Sequence, residues 1–286
     1  MNGTQTTAPL IDVRGVEFRY SPESEPVLRG VDLAIHRGDF VALLGQNGAG
    51  KTTLAKHFNG LLTPTAGQVL VGGRPSTDLS LTELARQVGY CYQNPDHQIF
   101  APTVEKEVRF GPDNLGLPES EAAALADRAL ELVGLTAQRE MNPFVLGRGQ
   151  RQLLAVASII AMDPPVLVVD EPTTGMDLAG AERIMGLLAS WAADGRTIVV
   201  ITHDMDVVAE FIPRTVVMAH GDVLADGDTQ DVLRRADLLP VARLLAPAAI
   251  TLSDQLSHLG VGRRGTISAV ADDLTAYIGG RNARRV

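Results

Sequence analysis

Gly45-Gln46-Asn47-Gly48-Ala49-Gly50-Lys51-Thr52, followed by Thr53, packs three glycines and a lysine into eight residues ending in threonine. It fits the G-x-x-x-x-G-K-[ST] pattern of a phosphate loop. Its glycines admit backbone conformations closed to other residues, so successive N–H groups can converge on phosphate oxygens. The apolar run Phe40 to Leu44 before it reads as a buried strand, and helix formers follow from Lys51 to Leu62. Strand, glycine loop and helix in that order make a phosphate-binding α/β unit, with the positive end of the helix dipole at the loop. The residues from Gly45 to Thr53 are therefore candidate nucleotide contacts. Lys51 is expected to bridge the β- and γ-phosphates, and the Thr52 hydroxyl to ligate Mg2+.

Farther along, Val166 to Val169 is a short, wholly apolar run followed by Asp170-Glu171. Such a run suits a buried parallel strand, and a carboxylate at its C-terminal end beside a phosphate loop can hold magnesium. Asp170 takes that role. Glu171, one residue on, could orient and deprotonate an attacking water. These elements define a nucleoside-triphosphate site without choosing among kinases, GTPases, helicases and transport ATPases.

The rest of the chain alternates strand and helix patterns. Residues 10–20 alternate with Val16, Phe18 and Tyr20 on one face, and Val31, Leu33 and Ile35 alternate again. Val69 and Val71 suggest a short strand, and Thr197 to Ile201 and Thr215 to Ala219 suggest buried ones. Residues 119–133 read as a helix carrying Leu125, Ala129, Leu132 and Val133, and further helices are expected over 150–162 and 181–193. The fold class is α/β, a phosphate-loop domain over 10–236 with a mainly helical insertion at about 94–160. Residues 237–286 form a less regular extension with weak helical periodicity at 267–278, and Arg281 to Arg285 reads as a solvated tail.

Composition excludes several classes. The 286 residues are 45% hydrophobic and 21% charged, the balance of a core-bearing globular protein. The longest strongly apolar run, Leu153 to Met162, is far short of a membrane span, and the first twenty residues carry no secretory signal pattern. A single cysteine, Cys91, excludes an internal disulfide framework and fits a reducing compartment. The net charge of −9 is a poor match to a polyanion, so nucleic acid is not an expected partner.

Leu146-Gly147-Arg148-Gly149-Gln150-Arg151-Gln152 precedes the helix leading into the Asp170 strand. Here the chain resembles the ATP-binding cassette (ABC) ATPases, whose signature Leu-Ser-Gly-Gly-Gln occupies this place. Other matches are Gln93 (Q-loop), Pro172 to Asp177 with Asp177 as the D-loop acid, His203 (switch histidine) and Tyr20 (adenine-stacking aromatic). The resemblance implies an N-terminal antiparallel β subdomain and a helical signature subdomain. It also implies that Glu171 and His203 are catalytic, that Gln93 contacts both nucleotide and magnesium, and that Gly147, Arg148, Gly149 and Gln150 act on ATP bound by a second ABC ATPase. The signature departs from the pattern: Gly147 stands where serine is usual and Arg148 where the first glycine is usual. Losing that hydroxyl removes one hydrogen bond to a charged acceptor, about 1–3 kcal/mol. Arg148 is expected either to compensate electrostatically or to point to solvent.

Tyr92-Gln93-Asn94-Pro95-Asp96-His97-Gln98-Ile99-Phe100, with Phe110 to Pro118 beyond it, is similar to the energy-coupling factor group of these ATPases. The altered signature also occurs in that group. The group's importers carry vitamins or transition-metal ions, so the resemblance implies an ATP-hydrolysing motor on the cytoplasmic face of the membrane. It would work with a second ATPase, a transmembrane scaffold and a membrane substrate-binding protein. By the same resemblance the segment after Gln93 docks the scaffold, and the extension after residue 236 helps join the ATPases. Three other readings stay open: an ordinary ABC importer or exporter ATPase, a regulatory nucleotide-binding subunit with weak hydrolysis, which the altered signature favours, and a soluble ABC ATPase acting on DNA or the ribosome. The latter types carry a long coiled-coil insertion or a second cassette in one chain, and neither pattern is in this sequence.

Overall fold

In the computed structural model, which describes residues 8–259, 262 and 265–283, the chain forms two sheets and a group of helices. In chain order the elements of the first half are β1 (Ile11–Phe18), β2 (Leu28–Ile35), β3 (Phe40–Leu44), α1 (Lys51–Phe58), β4 (Ala66–Val71), β5 (Arg74–Pro75), α2 (Leu81–Gln87) and β6 (Val88–Cys91). The helical segment is α3 (Val104–Asn114), α4 (Glu119–Val133) and α5 (Arg148–Ile160). Then come β7 (Val166–Asp170), α6 (Leu178–Ala193), β8 (Thr197–Thr202), α7 (Met205–Phe211), β9 (Arg214–Ala219), β10 (Asp222–Asp228) and α8 (Thr229–Val232). Helices α9 (Ala248–Leu256) and α10 (Ile267–Ala283) close the described chain.

One sheet runs β2-β1-β4-β5 and is antiparallel; the other runs β10-β9-β3-β8-β7-β6. In the second, β9, β3, β8, β7 and β6 are parallel, and only the edge pair β10–β9 is antiparallel. Strands β3, β7 and β8 are buried at every position, as a parallel sheet covered on both faces requires. Successive side chains go to opposite faces. Ala42, Leu44, Leu167, Val169, Ile198 and Val200 join a core with the helical segment, α6 and α7. Val41, Leu43, Val166, Val168, Val199 and Ile201 join a second core with α1 and the antiparallel sheet. The central sheet is thus clamped, and the carboxyl ends of β3, β7 and β8 open on one edge, where ligands of such sheets bind.

Several local expectations change. Helix α1 stops at Phe58 rather than Leu62, and β1 ends at Phe18, leaving Tyr20 outside the strand and 63% exposed. The buried stripe of α4 is Ala122, Ala126, Ala129, Leu130 and Val133, while Leu132 is 53% exposed. Alanines let α4 approach α3 and α5 closely, so the stripe lies one residue off the one the leucines suggest. Arg281 to Ala283, expected in a tail, belong to α10; Arg284 and Arg285 lie outside the described residues. Among the described residues no helix is long and apolar enough to cross a membrane.

Candidate nucleotide site

The loop from Gly45 to Gly50 leaves the end of β3 and turns into α1. Gly50 is the residue before the helix at φ +100, and a Cβ there would meet Leu28 Cδ2 at 2.9 Å, so both backbone and space require glycine. Lys51, 6% exposed, folds its Nζ back to donate to the Gly45 carbonyl at 2.6 Å and the Gln46 carbonyl at 3.1 Å. Burial lowers its pKa, opposed by the carboxylates of Glu171 and Asp170. An ammonium held inside the loop in this way is placed to exchange two carbonyls for phosphate oxygens.

The two carboxylates come from the end of β7, which pairs Asp170 with Ile201 on β8. Asp170 is 5% exposed, and its Oδ2 accepts from the Thr52 hydroxyl at 2.9 Å and from the Tyr90 hydroxyl at 2.9 Å. Burial raises the Asp170 pKa; the hydrogen bonds from Tyr90 and Thr52 work against that rise, Glu171 adds to it, and Lys51 opposes it. Glu171 sits at φ +48, a left-handed conformation that costs a side-chain-bearing residue about 1–3 kcal/mol, and its N–H donates to the Ile201 carbonyl at 2.8 Å. Its Oε1 lies 2.8 Å from His203 Nδ1, while Oε2 accepts from Thr174 Oγ1 at 3.3 Å and Thr202 Oγ1 at 3.5 Å. A carboxylate only accepts, so Nδ1 carries the proton and Nε2 is the imidazole's remaining nitrogen.

These residues border a cleft of about 360 Å³ lined by Tyr20, the loop from Asn47 to Thr53, Gln93, Asp170 and Glu171. Tyr20 is held over its entrance, its hydroxyl 3.2 Å from Thr53 Oγ1 and its ring edge-on to Phe18 at 4.9 Å between centroids. His203 and Gln46 border an adjoining cavity with Asn47. Gly147, Arg148, Gly149 and Gln150 are not in the cleft, nor is Asp177, which caps α6 by accepting from Gly180 N–H at 2.8 Å. Gly147 caps α5, and Gln150 Oε1 accepts from the Gly147 N–H at 3.2 Å. Arg148 is exposed and donates to the Thr174 carbonyl of its own chain at 3.3 Å.

Whether these residues suit magnesium is decided by their donors. The Thr52 proton is already committed to Asp170, so the hydroxyl presents lone pairs to the cleft. With the Asp170 carboxylate and the Gln93 amide oxygen it makes a hard-oxygen set suited to a small cation that keeps several waters. The residues fit. Tyr90 is the member that sequence reasoning missed. A tyrosine on a strand carries no motif, and only the pairing of β6 with β7, Tyr90 opposite Val168, brings its hydroxyl to Asp170.

A glycine loop on a helix N-terminus, a buried lysine and a strand-end carboxylate bonded to the loop's threonine define a phosphate-loop nucleoside triphosphatase. The ABC transporter family profile matches residues 28–174. The energy-coupling factor transporter ATP-binding protein EcfA of Methanocaldococcus jannaschii is 42% identical over 274 residues, covering 94% of this chain and 98% of that one. The EcfA of Methanothermobacter thermautotrophicus is 37% identical over 276 residues, covering 95% and 88%. The structure of cbiO1 from Clostridium perfringens, part of the ABC transporter complex cbiONQ, superposes with a TM-score of 0.75 at 32% identity, covering 89% of this chain and 98% of that one. The chain belongs to the ABC transporter family of ATPases. It spans less than half the length, 42% and 43%, of two further relatives named as ABC transporter ATP-binding proteins, from Methanosarcina acetivorans and Caldanaerobacter subterraneus.

Proposed function

We propose that this chain is the ATP-hydrolysing motor of a membrane importer of the energy-coupling factor type, driving uptake of a vitamin or a transition-metal ion. The observation that carries the chemistry is the paired arrangement at the sheet edge: Thr52 bonded to Asp170, and Glu171 bonded to His203, beside the buried Lys51. The phosphates of ATP lie against the loop N–H groups from Gly45 to Thr53, with Tyr20 against the base. Lys51 moves from the Gly45 and Gln46 carbonyls to the β- and γ-phosphates. Thr52, Asp170 and Gln93 would hold magnesium, which when bound neutralises charge on the phosphate oxygens. Glu171 accepts a proton from the attacking water, its carboxylate aimed by His203, Thr174 and Thr202. His203 also answers to the γ-phosphate, so its bond to Glu171 ties hydrolysis to phosphate release.

The ATPase domain spans 10–236, with its helical subdomain at about 94–160. A second ABC ATPase completes each site, because Gly147 to Gln150 lie outside the chain's own cleft. Residues 237–286 help join the two ATPases. A transmembrane scaffold docks in the groove of about 380 Å³ that Leu81, Tyr92, Phe100 and Phe110 help to line, and a membrane substrate-binding protein completes the importer. Phe100 and Phe110, 60% and 48% exposed and edge-to-face at 4.6 Å between centroids, give that groove an apolar wall. The chain itself is peripheral, on the cytoplasmic face. A regulatory subunit with weak hydrolysis is the second reading, favoured by Gly147 having no hydroxyl to offer.

The test is substrate uptake and ATP hydrolysis in vesicles carrying the assembled transporter. Glu171→Gln is expected to keep ATP binding and lose turnover at least 100-fold. Normal steady-state hydrolysis by that variant overturns the reading.

A further inference from the structure

Tyr90 touches two places that the functional reading treats separately. Its hydroxyl donates to Asp170 Oδ2 at 2.9 Å, and Tyr90 also lines the apolar groove that it shares with Tyr92, Phe100 and Phe110. Tyr90 is 6% exposed and Asp170 5%, so the bond is shielded from water. Packing alone would be served by phenylalanine, whereas a buried phenol needs a partner, and here the partner is the carboxylate beside the phosphate loop. The two donors to Oδ2 come from different sides of the sheet edge: Thr52 from the helix that follows the phosphate loop, Tyr90 from the strand that borders the groove. On the groove side, Tyr90 meets Tyr92 edge-to-face at 5.2 Å between centroids. Tyr92 is 37% exposed and immediately precedes Gln93.

We propose that Tyr90 is a positioning residue that links the groove to Asp170. A segment seated in the groove presses on Tyr92 and Tyr90, and the phenol hydroxyl sets how the carboxylate is held. The link rests on the reading of Asp170 as the magnesium-holding carboxylate and of the groove as the scaffold's docking site. It adds to the Q-loop a second route, through one buried hydrogen bond.

The experiment uses the assembled transporter in vesicles with Tyr90→Phe, which keeps the ring and removes only the hydroxyl. ATP affinity measured with a metal chelator present is expected to be unchanged. The magnesium concentration giving half of the metal-dependent gain in nucleotide binding should rise about fivefold. Substrate moved per ATP hydrolysed should fall. Tyr92→Leu, which alters the groove and leaves the Tyr90–Asp170 bond in place, should lower transport per ATP without moving the magnesium dependence. Unchanged magnesium dependence in Tyr90→Phe overturns the link when Asp170→Asn does shift it. If Asp170→Asn leaves it unchanged as well, the reading of the site itself is overturned. A shifted magnesium dependence with wild-type transport per ATP overturns the coupling to the groove.

Discussion

Arg148 lies against the backbone of Gly175, its guanidinium donating to the neighbouring Thr174 carbonyl at 3.3 Å, so the signature turn is latched to the loop that carries Glu171. A cation in the first turn of α5 opposes the helix dipole, so helix stability is not what places it there. The guanidinium is engaged within its own chain. Gly147 offers no side-chain donor at the place where the signature pattern has a serine hydroxyl.

Gly147→Ser restores that donor. In the full assembly it should raise the ATPase rate several-fold, within the roughly 1–3 kcal/mol of a hydrogen bond to a charged acceptor. Steady-state hydrolysis of the purified transporter checks this, and no gain would mean that the missing hydroxyl does not limit turnover.

Gly175 sits at φ +74, and a Cβ on it would fall 2.8 Å from Arg148 Cζ. Gly175→Ala is therefore expected to lose about 1–2 kcal/mol through the left-handed backbone alone. It should also displace the guanidinium. Denaturant unfolding measures the first effect; in Arg148→Ala, where the side-chain contact is gone, the same substitution should cost only the backbone part.

Burial raises the pKa of Asp170 above its ordinary value of 3.8. The native state then holds this proton more tightly than the unfolded chain does. Stability is lost as pH rises from the ordinary carboxylate range through the raised value, and at neutral pH the fold bears the cost of the ionised group. Asp170→Asn should melt at a higher temperature than the parent at pH 7. The difference should close as pH falls below about 4, the range where the carboxyl is protonated in both states. Thermal melts across that range check the sign, and a lower melting temperature at pH 7 would refute it.

Cys91 is fully buried on β6, and its thiol is pushed up to about 12, first by burial and then by the Asp170 carboxylate. The thiolate is the reactive form, so native protein should resist alkylation at pH 8 and react completely once unfolded. Rapid labelling of the folded chain would contradict the packing described for β6.

The parts of this molecule that were legible in the sequence are those whose chemistry needs contiguous residues. The loop from Gly45 to Thr52 and the Asp170-Glu171 pair announce themselves through fixed spacing, and each lies at the end of a run too apolar for anything but a buried strand. Structure that depends on a neighbouring element was hidden. Helix α3 does not stand out within the helical insertion, because Gly111-Pro112 interrupts its pattern, although Thr103 caps it and the buried Glu107 carboxylate holds the N–H groups of Phe100 and Ala101 against it. The strand β10 does not stand out either, because it carries three aspartates and as an edge strand needs no apolar run. The contacts of Arg148 and Tyr90 were illegible for a shared reason. Each acts on a residue tens of positions away, and only the packing of the helical segment and the β6–β7 register brings the partners together.

Whether this ATPase drives a membrane importer is decided by purifying the tagged chain from detergent-solubilised membranes of its own host and identifying what accompanies it. A second cassette ATPase, a helical transmembrane scaffold and a small membrane substrate-binding protein are the expected companions, in defined stoichiometry and lost on disrupting the groove at Phe100 and Phe110. Recovery of ribosomes, of DNA-repair proteins, or of the chain by itself would contradict the claim.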